Sequence, residues 1–193
     1  MKLFKTKTMK KTTILSVAVL AAISLASFSL TAQKLVSTKT HFKFFSTTPA
    51  EDIEAHNYKA VGTLEKSTGD LVFSVPMQSF EFEKALMQEH FNSKKFLDTK
   101  SNPKAKLVGK IADLSQVNFE QDGSYPVAVT GNLTINGVTN AIQEKATIKV
   151  TDGQIALKSQ LNVTLNDYKI AFKSGKPSTN IAKTVAVTVE AAY

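Results

Sequence analysis

From residue 127 to residue 157 the chain reads VAVTGNLTINGVTNAIQEKATIKVTDGQIAL. Apolar residues recur at every second position: Val127, Val129, Leu133 and Ile135, then Ile142, Ala146, Ile148 and Val150, then Ile155 and Leu157. A period of two puts one dry and one wet face on each segment, the pattern of half-buried β-strands. Asn136-Gly137 and Asp152-Gly153 interrupt it. Both dipeptides accept positive φ, as two-residue hairpins require. Three antiparallel strands in sequence follow from this stretch alone.

The same alternation runs outward in both directions. Upstream it includes Val36 to Phe44, Leu71 to Met77 and Ala105 to Ile111; downstream, Leu161 to Leu165 and Val185 to Tyr193. Ser67-Thr68-Gly69-Asp70 and Asp122-Gly123-Ser124 mark further reversals. About eight strands at hairpin spacing, without βαβ alternation, predict an all-β fold: an antiparallel eight-stranded barrel. Two short helices are expected. Thr48-Pro49-Ala50-Glu51 has the form of a capping box leading into Asp52 to His56. Lys84 to Phe91 carries an apolar stripe of Leu86, Met87, His90 and Phe91.

Five lysines and no acid occupy the first eleven residues, and an apolar run follows from Ile14 to Leu30. This order predicts a secretory signal peptide over residues 1–32, cleaved near Ala32, and a mature domain over 33–193. The run is short for a span and diluted by serines, so no stable membrane anchor is expected after cleavage. The mature protein is expected in the periplasm or secreted. The formal net charge of +8 loses the five leader lysines and falls to +3, which removes the case for nucleic acid. The chain has no cysteine and all 24 of its basic residues are lysine. A thiol nucleophile, a disulfide, a lipidated cysteine and bidentate arginine grips are excluded.

A barrel of this size is either packed with side chains or encloses one apolar ligand, and binary patterning is the same for both. Phe73, Phe82, Phe91 and Phe96, with Val75, Leu86, Met87, Leu107 and Leu133, are the candidate cavity lining. His41, His56 and His90 show no ligand spacing, so no metal site is assigned. No Gly-rich phosphate loop or G-x-S-x-G occurs, no catalytic residue or cofactor is assigned, and the chain is read as a non-enzyme. Two alternatives stay open. One is a small outer-membrane barrel, because Val185, Val187, Val189 and Ala191 lead on one face to an aromatic Tyr193. The other is a cavity-free interaction domain. A homodimer is also left open.

Two motifs add information. Met87-Gln88-Glu89-His90-Phe91-Asn92-Ser93-Lys94-Lys95-Phe96-Leu97-Asp98, followed by Asn102-Pro103 and a strand, resembles the helix-and-strand signature of the YceI-like family. Gly131-Asn132-Leu133-Thr134-Ile135-Asn136-Gly137-Val138-Thr139 resembles that family's hairpin. The resemblance implies a lipocalin-like barrel with helical caps. It also implies an exported soluble protein whose cavity binds a long isoprenoid or other lipid, polyprenyl or quinone-like. His90, Asn92 and Tyr168 are then candidates for holding a head group at the mouth. The chain departs from the family pattern at Leu165 to Ile170, where the usual arginine is missing and Lys169 replaces a glycine. It departs again at Asn102, where a tyrosine is usual.

Overall fold

The computed structural model describes residues 34–170 and 181–193. The leader expected over residues 1–32 lies outside the described residues. Eleven strands form one sheet in which every pairing is antiparallel. The first six are β1 (Lys34–Val36), β2 (Lys39–Thr47), β3 (Asp52–Asn57), β4 (Val61–Glu65), β5 (Asp70–Pro76) and β6 (Glu81–Phe82). The helix α1 (Ala85–Asn92) follows, then β7 (Lys104–Ile111), β8 (Gly123–Ile135), β9 (Val138–Thr151), β10 (Gln154–Thr164) and β11 (Thr184–Ala192). The spatial order is β1-β4-β5-β7-β8-β9-β10-β11-β2-β3-β6.

The sheet curls so that its flanks meet along the first strand. Ser37 N donates to Gly62 O at 2.8 Å, beside β4, and Thr38 N donates to Ala192 O at 2.7 Å, beside β11. The chain thus leaves one flank and joins the other between two residues. Two buried side chains reinforce the junction. Thr40 Oγ1 donates to Ala60 O at 2.6 Å, and Asn57 Nδ2 donates to Pro76 O at 2.8 Å. This is the antiparallel lipocalin-like barrel, with eleven strands where about eight were expected. The additional strands are β1, which divides from β2 at this junction, and β3, β4 and β6, which carry too few alternations to stand out.

The helix expected after Thr48 is a strand. Thr48 Oγ1 does accept from Ala50 N and Glu51 N, at 3.3 and 3.2 Å. These capping bonds close the turn between β2 and β3 instead of opening a helix. Asp52–Asn57 then pairs with β2 along its whole length. A ladder of cross-strand bonds outweighs one or two turns of unsupported helix. The helix expected near Lys84 is present as α1, eight residues long, with no side-chain cap and with Phe91 as its buried residue.

The hairpins form where the dipeptides place them. Asn136 and Gly137 have φ of 52° and 73°, and Asp152 and Gly153 have 51° and 75°. Each pair joins directly opposed strand ends, Ile135 to Val138 and Thr151 to Gln154. The dry face points inward on every long strand. Ala146, Ile148 and Val150 of β9 are buried, while Lys145, Thr147 and Lys149 are exposed. On β7, Ala105 and Ile111 are buried, and Lys104, Lys106 and Lys110 face outward. A membrane barrel needs the opposite, an apolar outside. Among the described residues no helix is long and apolar enough to cross a membrane. One end of the barrel is filled: Leu64, Ile111, Ile148 and Val150 are almost wholly buried there and do not border the cavity described below. Each contributes about 1.5–3 kcal/mol by burial.

Two features of the fold generate predictions. Gly131 and Gly109 are opposed across β7 and β8. A Cβ on Gly131 would lie 2.5 Å from both Gly109 Cα and Val108 O, backbone atoms that cannot rotate away. Gly131→Ala is therefore expected to lower the unfolding free energy by about 1–3 kcal/mol. Urea unfolding measures this, and an unchanged midpoint would contradict the close approach. At Tyr193 the hydroxyl is buried without a hydrogen-bond partner. Burial holds its phenol well above the usual tyrosine range. A folded-state pKa above the unfolded value means the stabilisation is complete below about pH 10 and is lost as pH rises past it. Tyr193→Phe is expected to gain up to about 1 kcal/mol near neutral pH. Its stability should also fall less steeply than wild type above pH 10. Parallel denaturation curves for the two proteins would count against the buried phenol.

Candidate functional site

The other end of the barrel is hollow. A cavity of about 510 Å³ lies between the strands and α1, within the range of small-molecule sites. Its walls are mostly apolar side chains from the inward faces of β2, β5, β7, β8, β9, β10 and β11, completed by α1 and the segment after it. Phenylalanines dominate the end next to α1. The Phe91 ring centroid lies 5.7 Å from Phe44, 5.6 Å from Phe80, 5.1 Å from Phe82 and 6.3 Å from Phe96. Such pairs contribute about 0.5–1.5 kcal/mol each beyond burial. With no side-chain cap, α1 is held by seating Phe91 in this cluster. The aromatic rings brace the wall instead of collapsing into the space.

Of the expected lining residues, Phe73, Val75, Phe82, Met87, Phe91, Phe96, Leu107 and Leu133 face this cavity. Leu86 does not. It is 61 % exposed, because the helix rotates its neighbours Met87 and Phe91 inward and turns Leu86 to solvent. The three head-group candidates separate. His90 borders the cavity. Asn92 is engaged in the loop after α1, where its Oδ1 accepts from the buried Thr99 hydroxyl at 2.8 Å. Tyr168 is buried in the segment Leu165–Tyr168 and is not part of the wall. Burial raises its phenol above the usual range, assisted by Asp167 and Glu144 and opposed by a hydrogen bond with Asn140.

The two departures from the family pattern meet in space. Asn102 Nδ2 donates to Asn136 Oδ1 at 3.0 Å, and Asn136 Nδ2 donates to Tyr168 O at 3.1 Å. The loop after α1, the β8–β9 hairpin and the segment at 165–168 are thereby tied together. Leu165 and Ile170 reach the cavity from that segment.

Besides His90, polar residues that sequence reasoning missed border the cavity: Ser46, Glu51, Glu144 and Ser159, with Lys106 reaching its edge from the exposed phase of β7. Glu51 is paired with Lys84 at 2.9 Å. Glu144 left a signal in the sequence, since it occupies the inward phase of β9 between Ile142 and Ala146. The pairing of His41 with His56 was also missed. Sheet register brings them together on the outer face, with Nε2 of His41 2.9 Å from Nδ1 of His56 and Tyr58 stacked on His41 at 4.7 Å. Among the described residues no group of three or more His, Asp or Glu is placed to hold a metal ion.

The contrast between two neighbours on α1 is testable. Phe91→Ala is expected to destabilise the protein by about 3–5 kcal/mol, whereas Leu86→Ala should stay within about 0.5 kcal/mol of wild type. Thermal and urea unfolding of the two variants check this, and equal losses would mean that the helix is oriented differently.

Comparison with curated proteins returns no match. Solved structures do match. The chain resembles Burkholderia cenocepacia BcnA with a TM-score of 0.67 at 17% identity, covering 80% of this chain and 96% of that one. It resembles a polyisoprenoid binding domain from Saccharophagus degradans implicated in plant cell wall breakdown, with a TM-score of 0.71 at 14% identity, covering 84% and 98%. Campylobacter jejuni YCEI protein matches with a TM-score of 0.53 at 18% identity, covering 96% and 98%. At these identities the likeness is one of fold. The sequence itself matches the YceI-like domain over residues 24–193, nearly the whole of the chain. The chain belongs to the YceI-like domain family.

Proposed function

We propose that the protein is an exported, soluble carrier that holds one amphiphilic isoprenoid or similar lipid in the barrel, and that it is not an enzyme. The observation that carries this reading is the hollow end itself, a 510 Å³ space walled by phenylalanine, leucine and valine. Such a wall offers an aliphatic chain burial and almost no competing polarity. Removing roughly 400 Å² of chain from water supplies on the order of 10 kcal/mol gross, before the costs of immobilisation. The Saccharophagus degradans structure, which shares this fold, is of a polyisoprenoid binding domain. The leader-like N-terminus and the lysine-bearing outer face suit a protein that is released from the inner membrane and stays in water. A cargo insoluble in water needs such a host in the periplasm.

Native mass spectrometry of gently purified mature protein tests the reading. A co-purifying mass in the lipid or quinone range, or stoichiometric uptake of an added C20 prenyl compound, is the expected result. Neither a bound mass nor uptake would leave an interaction domain with an unused cavity. Release of the protein by osmotic shock without detergent is expected in the same preparation.

A further inference from the structure

Among the described residues the cavity wall has a seam between β9 and β10. β9 and β10 are in register from Gln154 opposite Thr151 to Ser159 opposite Ala146. Past that point β9 continues back to Val138 against β8, and β10 continues to Thr164 against β11. The two strands part, and the segment Leu165–Tyr168 crosses near the gap. Asn140 Nδ2 fastens it by donating to Asp167 O at 2.8 Å.

Two polar side chains point into the cavity beside this seam, Glu144 from β9 and Ser159 from β10. Both present acceptors. A carboxylate has no proton to give. The Ser159 hydroxyl proton is committed to Lys145 O at 2.8 Å, so its lone pairs are what remain for the cavity. Among the described residues Glu144 has no ion-pair partner: the acidic partners in salt bridges are Glu51, Glu54, Glu120 and Glu190. A half-buried carboxylate on a largely apolar wall is stabilised by any donor that reaches it, from water or from a ligand.

We propose that Glu144 and Ser159 form the head-group subsite of the cavity, and that it selects long apolar molecules ending in a hydrogen-bond donor. A prenyl or long-chain alcohol, a phenol or an amine belongs to this class. A phosphate or carboxylate end does not, because it would set one anion against another beside the Glu144 carboxylate. This rests on the carrier reading and specifies its ligand.

The test uses the mature protein and displacement of a fluorescent apolar probe. The chain has no tryptophan to interfere. The competitors are geranylgeraniol and geranylgeranyl monophosphate. Wild type is expected to prefer the alcohol by roughly tenfold or more, the size of one charge-assisted hydrogen bond against one repulsion. Glu144→Gln should narrow the preference to about threefold or less, and Glu144→Lys should invert it. Ser159→Ala should weaken the alcohol alone. Equal affinities in wild type, or a ratio unchanged in Glu144→Gln, would overturn the subsite while leaving the carrier reading intact. Failure of wild type to bind the probe and both prenyl compounds would overturn the carrier reading, and the subsite with it.

Discussion

Two adjacent backbone amides, Ser37 N on Gly62 O and Thr38 N on Ala192 O, join the flanks of the sheet. A curled antiparallel sheet has two edges with unpaired donors and acceptors, and leaving them open invites pairing with other chains. Here one continuous segment, β1 into β2, belongs to both flanks and removes most of that exposure. The hydrogen bonds of the buried Thr40 and Asn57 side chains make the closure hard to undo. Losing the Thr40 hydroxyl would take the side-chain donor from the carbonyl of the buried Ala60. Closure is what gives the barrel an inside at all, so the cavity depends on it.

The inside is divided by the size and stiffness of its side chains. At one end Leu64, Ile111, Ile148 and Val150 interlock and leave no space. At the other the inward positions carry phenylalanines that lean on one another around Phe91. Rigid rings with two torsions bridge a gap where flexible chains would fold into it. The filled end therefore supplies stability, and the hollow end can remain hollow without the fold depending on a bound molecule.

The strands and hairpins were legible because period-two alternation and the Asn-Gly and Asp-Gly dipeptides are local signals with a direct steric cause. Other features depend on long-range pairing and were not. Thr48 caps a turn with the same bonds that would cap a helix, and only the presence of β2 alongside Asp52–Asn57 decides between them. The phase of Leu86 on a short helix is set by where Phe91 docks, which the stripe alone does not reveal. Asn92 and Tyr168 were marked as mouth residues for their chemistry, yet one is engaged by Thr99 and the other is buried in a connecting segment. His41 and His56 are fifteen residues apart in the chain and 2.9 Å apart in space. Whether the barrel is filled or hollow is invisible to a binary pattern, because both have apolar residues inward.

The parting of β9 and β10 follows from the same geometry that closes the sheet. Their hairpin at Asp152-Gly153 pins one end, and the strands are long, so the right-handed twist accumulates toward the other. Past Ser159 and Ala146 the twist separates them, and the segment after β10 turns across the opening under the hold of Asn136 and Asn140. Backbone groups freed by the separation lie beside the hollow end, not beside the filled one. A polar inward residue is tolerated at such a place because water or a ligand's polar end can reach it. At the filled end a carboxylate in the same phase of β9, at Ile148 or Val150, would be buried among leucines and isoleucines with no partner. The position of Glu144 is thus consistent with the seam, and the seam with a cavity whose apolar depth and polar exit are set by a single stretch of strand mismatch.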